Sequence, residues 1–201
     1  MIRGGKSIFL SILSGFNFFI MLTDHFNETW KELKAATREE GHPFRVCSLA
    51  SFETQDYIKQ RIVNLREVTS EDTLLFYTDS RSSKIEQINK NPNVSVLFYD
   101  YRISLQVMLR GIIKVHTNDD LWQDHRLKIE GRSINDYNTK YPPGKKINNP
   151  LDVMRTEEIN FAVLELIPES IEYLKLRDEP NRVRAIFTKE NEDWNKTFII
   201  P

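Results

Sequence analysis

The spacing of apolar positions divides the chain into a helical opening and a long series of short alternating runs. From Asn27, NETWKELKAA sets Trp30 and Leu33 three apart, which predicts a short amphipathic helix ending before Gly41-His42-Pro43. FRVCSLASF, YIKQRIVNLREV and TLLFYTD then alternate with period two between ETQD and TSED turn signals, so each predicts a strand. Ser82 to Lys90 predicts a helix through Ile85 and Ile88, stopped by Asn91-Pro92. VSVLFYDY and SLQVMLRGIIKVH predict two long strands, and Thr117 with Asp120 predicts a capping box opening a helix through Leu121, Trp122, His125 and Ile129. Gly131 to Met154, rich in Pro, Gly and Asn, predicts an irregular excursion with one turn of helix. NFAVLELI and SIEYLKL predict strands interrupted at Pro168, and RVRAIFTK and WNKTFII predict a terminal hairpin around ENED. Strands outnumber helices. An antiparallel barrel is the expected arrangement, because closure removes exposed sheet edges.

Length and charge narrow the picture. A chain of 201 residues suits one domain, and the pattern divides it into an apolar N-terminal extension over 1–22 and a domain over 23–201. The extension has Arg3 and Lys6 before an apolar run interrupted by Ser11, Ser14, Gly15 and Asn17. It is short for a membrane span and lacks a clear cleavage site, so a packed or dispensable segment is expected, with export or membrane attachment as the alternative. A cytoplasmic location without stable membrane insertion follows as the expectation. Acidic and basic residues nearly cancel, 29 against 28, so no nucleic-acid partner is expected. The single cysteine, Cys47, excludes an intrachain disulfide and sits where a buried small hydrophobe fits. His25, His42, His116 and His125 lack metal-ligand spacing, so no metal is expected.

The chemistry-bearing residues cluster between positions 60 and 106. In QRIVNLR, Arg61 alternates with Val63 and Leu65, while Arg66 shares the other face with Ile62 and Asn64. The next run, LLFYTDSRSSKIEQI, passes from a strand through hydroxyls and cations into a helix start. Ser82, Ser83 and Lys84 there offer hydroxyls, unpaired backbone N–H groups and positive charge to a phosphate, and Arg61 adds a planar clamp. Taken alone, the same residues also read as solvated charges, a loop and an N-cap.

The order QRIVNLR, FYTDSRSSK, NPNVSVLFYDY and LQVMLRG resembles the flavin-binding core of the pyridoxamine 5'-phosphate oxidase superfamily. The likeness runs from Trp30 to Pro201, with NRVRAIF and EDWNKTFIIP resembling the closing segment. It implies a mostly β, antiparallel split β-barrel with peripheral helices, non-covalent FMN, and a homodimer whose cofactor sites draw on two barrels. By this resemblance Arg61 clamps the flavin phosphate, Ile62, Val63 and Asn64 pass beside the isoalloxazine, and Tyr77 and Thr78 lie near the ribityl and phosphate region. Ser82, Ser83 and Lys84 occupy a Ser-Arg-Lys segment, Arg66 stands for a lysine near the substrate phosphate, and Gln106 matches a glutamine that hydrogen-bonds the flavin.

On the substrate side, Trp122 and Arg126 occupy the places of a tyrosine and an arginine, and Arg182 and Arg184 those of an arginine and a histidine. The departures are concentrated here: Ile186 replaces an arginine, Leu174 a tryptophan, and Phe198-Ile199-Ile200 lacks the family's Arg-Leu signature. The resemblance therefore implies an FMN-dependent oxidoreductase with a small, anionic substrate of unknown identity. The alternative is a non-catalytic flavin-binding or redox-responsive protein. No side chain stands out as a catalytic nucleophile or base.

Overall fold

In a computed structural model of the chain, residues 5–176 and 181–201 are described, with side chains described from Met21 onward and again from Asn181. Eight strands run antiparallel to their neighbours: β1 Val46–Phe52, β2 Ile58–Val68, β3 Leu74–Asp79, β4 Asn93–Asp100, β5 Leu105–His116, β6 Phe161–Lys175, β7 Val183–Glu190 and β8 Asp193–Phe198. Their order is β3-β2-β1-β4-β5-β6-β7-β8. A further pairing of β3 with β6, from Leu74↔Leu166 to Asp79↔Phe161, closes the first six into a barrel. The hairpin of β7 and β8 continues from β6 as a flap. This is the antiparallel barrel expected from the strand pattern, in the split-barrel form that the resemblance implies.

Alternation explains the barrel interior. Leu49, Leu65, Phe76, Phe98, Leu109 and Tyr173 point inward and are fully buried, and Phe187 of the flap joins the same apolar cluster. Cys47 lies among them, 3% exposed, with its thiol pKa pushed up by burial, as a small hydrophobe would. β3 is buried on both faces because a second cluster, Leu75, Ile129, Tyr137, Phe161 and Val163, covers its outer side with Trp122 packed against it.

Four local expectations are corrected. The first helix, α1, is not confined to the segment from Asn27 but spans Gly5–Ala36 without a break. Its described apolar side chains Leu22, Phe26, Trp30 and Leu33 lie on one face, and Phe26 meets Phe187 at 5.2 Å and Trp194 at 5.4 Å. Among the described residues no helix is long and apolar enough to cross a membrane. Secondly, α3, Asp120–Arg126, stops before Ile129 and is capped by Asp119 rather than Thr117; the Asp119 carboxylate accepts the Trp122 N–H at 3.0 Å.

Thirdly, Pro168 does not interrupt β6. A register shift between Arg110 and Gly111 places Gly111 opposite Pro168, and a Cβ at Gly111 would collide with the Ile167 carbonyl. A bulge and a glycine together accommodate a proline that a regular ladder would reject. Finally, the excursion contains two short 3-10 segments, Gly131–Asp136 and Pro150–Asp152, rather than one. The helix predicted over Ser82 to Lys90 is α2, Ser83–Lys90, with Ser82 as its N-cap.

Candidate functional site

The β2–β3–α2 segment builds a concavity of about 270 Å3 at one end of the barrel. Eight of the residues singled out from sequence line it: Ile62, Val63, Asn64 and Arg66 from β2, Tyr77 and Thr78 from β3, and Ser82 and Lys84 at the start of α2. Asp79, Asp136, Tyr137 and Pro143 complete the wall, the last three brought in by the excursion. Adjacent strands converge on α2 here because Ser82, in extended backbone conformation, turns the chain directly from β3 into the helix.

The polar atoms are arranged around positive charge. Lys84 Nζ donates to Thr78 Oγ1 at 2.7 Å, and Thr78 Oγ1 lies 3.2 Å from Ser82 Oγ. Ser82 makes no side-chain cap hydrogen bond, so its hydroxyl is committed to the cavity side instead of the helix terminus. Burial lowers the Lys84 pKa, and the neighbouring Arg61 guanidinium lowers it further. Arg61 does not itself line the concavity. Its Nη1 donates to Ser51 Oγ at 2.7 Å and its Nη2 to Gln87 Oε1 at 2.8 Å. Both cations thus rest on neutral oxygens.

Arg66 is placed by a bulge. The β2–β3 register shifts between Leu65 and Glu67, which leaves Arg66 as the extra residue and lets its guanidinium lie 5.1 Å from the centre of the Tyr77 ring. Its Nε is buried without a hydrogen-bond partner. Beside it, Tyr77 Oη is 2.5 Å from His125 Nδ1, and burial pushes the Tyr77 pKa up to about 12 while lowering that of His125. The sequence places His125 only within the helix pattern of α3 and carries no sign of this contact. Asp79 supplies the negative end, but Arg81 takes both of its oxygens, and Arg81 also donates to Thr139 O at 2.8 Å, pinning the excursion over the cavity. The Asp79-Ser80-Arg81 spacing was the available signal: the same D-x-R turn recurs at Asp100-Tyr101-Arg102.

The remaining candidates lie elsewhere. Ser83 is exposed on the first turn of α2. Gln106 sits on the outer face of β5 between Tyr99 and Leu174, three strand spacings from β2, or about 14 Å. Trp122 packs in the second cluster with Nε1 donating to Phe161 O at 2.9 Å, and Arg126 is half-buried on α3. Arg182 is exposed, and Arg184 is paired with Glu172 at 2.8 Å. None of these lines the concavity formed by one chain. A second hollow of about 290 Å3, with Ala50, Phe52, Ile58 and Val94 in its walls, gathers no comparable cluster of cations and hydroxyls.

Comparison with known proteins matches residues 27–117 to the family described as pyridoxamine 5'-phosphate oxidase, FMN-binding domain. A pyridoxine/pyridoxamine 5'-phosphate oxidase of Pelagibacter ubique is 24% identical over 190 residues, covering 87% of this chain and 89% of that protein. One from Psychrobacter arcticus is 38% identical over 66 residues, 33% of this chain and 30% of that protein. Among solved structures, a pyridoxamine 5'-phosphate oxidase-related, FMN binding protein from Nostoc punctiforme matches with a TM-score of 0.71 at 21% identity, over 87% of this chain and 96% of that one. PhzG from Burkholderia lata, solved with tetrahydrophenazine-1-carboxylic acid, matches with a TM-score of 0.61 at 18% identity, over 88% and 91%. The 27–117 match contains every cofactor candidate from Arg61 to Gln106 and none of the substrate-side candidates.

Proposed function

We propose, for a chain that belongs to the pyridoxamine 5'-phosphate oxidase-related FMN-binding family and takes FMN as its cofactor, an oxidoreductase acting on a small anionic substrate. The observation that carries the reading is the pair Arg61 and Lys84, two neighbouring cations that hydrogen-bond to the neutral oxygens of Ser51, Gln87 and Thr78. Charges of one sign raise each other's cost when partly buried, and a phosphate relieves both. The orphaned Arg66 Nε in the same concavity is a further donor waiting for an acceptor. These residues fit FMN.

In this reading Arg61, Lys84, Thr78 and Ser82 hold the phosphate end, while Ile62, Val63 and Asn64 offer a strand edge to the ring. FMN when bound supplies two-electron chemistry, and the protein supplies distance, orientation and field. Arg66, held over the Tyr77 ring, attracts an anionic group on the substrate, and the Tyr77–His125 pair fixes that ring. The excursion, pinned by Arg81, shields the cavity from water.

A homodimer belongs to the same proposal. At about 270 Å3 the one-chain concavity is smaller than the ~300–1,000 Å3 of typical ligand pockets, which leaves room for a second wall. The outer sheet face beside it carries Ile62 67% exposed, Val46 49% and Tyr99 47%, with Leu97, Met108 and Leu174 half-buried. Gln106 and Arg184 stand on that face in one row with Leu174 between them. A two-fold contact across it covers the apolar side chains and brings such residues to the other chain's cofactor.

A specific observation favours the alternative of flavin binding without turnover. Trp122 is spent on packing and Arg184 on Glu172, which weakens the substrate side. Anaerobic mixing of the FMN-loaded protein with pyridoxamine 5'-phosphate, NADH, NADPH and a wider reductant panel separates the two. Bleaching of the flavin by a member of the panel supports the oxidoreductase; no bleaching by any of them leaves the binding protein. Light scattering across a concentration series, with and without FMN, tests the dimer, and a persistent monomer with stoichiometric FMN removes it.

A further inference from the structure

Arg61 is held by side chains that no sequence pattern marked. Ser51 on β1 and Gln87 on α2 are 2% and 8% exposed, so both are built into the body of the fold. Each accepts one Nη of the guanidinium, and Ser51 Oγ also donates to Gln87 Oε1 at 3.3 Å. Gln87 Nε2 donates to Glu53 Oε1 at 3.4 Å, which orients the amide with its oxygen towards the arginine. The guanidinium is therefore gripped at two points by oxygens that carry no charge. A carboxylate at position 87 would grip equally well and cancel the charge.

We propose that Gln87 and Ser51 are positioning residues that lock the Arg61 fork while leaving its positive charge available to the cofactor phosphate. The inference rests on the reading of Arg61 as the phosphate clamp. Ser51 fixes the fork from β1, the neighbour of β2, and Gln87 fixes it from the helix that carries Lys84, so the two cations keep a set separation. Their role is confined to the phosphate end and does not reach the flavin ring.

Riboflavin, which has the same ring and no phosphate, isolates that role. Titrations of FMN and of riboflavin into the apoprotein are compared for the native chain, Q87E, S51A, R61A and R61A/Q87E. The isosteric Q87E is expected to weaken FMN about tenfold, with riboflavin changed by less than about twofold. S51A is expected to weaken FMN about threefold. Adding Q87E to R61A is expected to cost nothing more, because the residue acts through the arginine. Equal loss of both flavins in Q87E would mark a merely structural role and overturn the proposal, as would an undiminished Q87E effect in the R61A background. Should Q87E fail to fold, S51A is decided by the same comparison of the two flavins. If R61A leaves the preference for FMN over riboflavin intact, the clamp reading fails first and the positioning role with it.

Discussion

Two parts of the molecule bury charge in opposite ways. Where α1 crosses β6, Glu28 receives Tyr173 Oη at 2.6 Å and Lys175 Nζ at 2.8 Å, with His25 3.8 Å away. Lys34 on the same helix pairs with Asp72 at 2.9 Å. At and behind the β2–β3–α2 concavity, Lys84 and Arg61 rest on a threonine, a serine and a glutamine. Charges that hold the fold have opposite charges within hydrogen-bonding distance, whereas Arg61 and Lys84 are held by neutral oxygens, with Glu53 and Asp79 acting on them through space. On the proposed reading, the electrostatic cost of the second arrangement is returned when an anion binds.

The contrast is sharpest at Arg61. R61A is expected to weaken FMN by about 1.5–3 kcal/mol, or roughly ten- to a hundredfold, without loss of thermal stability in the apoprotein. Flavin titration and thermal unfolding of the same samples check both halves. A large drop in apoprotein stability would mean that Arg61 belongs with the fold-holding charges instead.

Lys84 gives a pH-dependent version. Its pKa is lowered from the ordinary lysine value by burial and by Arg61, and phosphate favours the charged form. Binding in the alkaline range therefore takes up a proton, and FMN affinity is expected to fall as pH rises through the apoprotein value. K84M is expected to weaken FMN about tenfold near neutral pH and to flatten that alkaline decline. A decline of unchanged slope in K84M would assign it to another group.

The paired region responds to acid. His25, Lys175 and Tyr173 hold the Glu28 carboxyl down to about 2, against the effect of burial. Its contribution to stability is present above the unfolded value near 4.5 and is lost as pH falls towards 2. E28Q is expected to lower stability near neutral pH by about 1–2 kcal/mol after allowance for partial exposure, and to converge with the native chain in acid. Urea unfolding from pH 7 to pH 3 measures this, and FMN affinity is expected to stay level.

The smallest effect is expected at Arg126, which lies on α3 outside the concavity. R126A is expected to change FMN affinity by less than about 0.5 kcal/mol. An effect equal to that of R61A would move the phosphate site towards α3.

What the sequence determined by itself was local. Alternation in QRIVNLR and TLLFYTD and the hydroxyl-rich turn before α2 placed the strands, the helix start and eight of the cavity-lining residues, because period-two patterns and a strand-to-helix turn are settled within a dozen residues. The tertiary structure decided what depended on distant partners. Pro168 continues a strand only because Gly111 faces it, and Arg66 turns to Tyr77 only because the β2–β3 ladder slips by one residue. His125 meets Tyr77 across 48 positions, and Ser51 and Gln87 reach Arg61 from a different strand and a helix. Gln106 shares the motif order with Arg61 yet lies three strands away, since closing the barrel around its apolar core sets which strands become neighbours. Short-range periodicity records which face of an element is buried; the pairing of elements, and with it the partners each charge finds, arises only when those buried faces pack together.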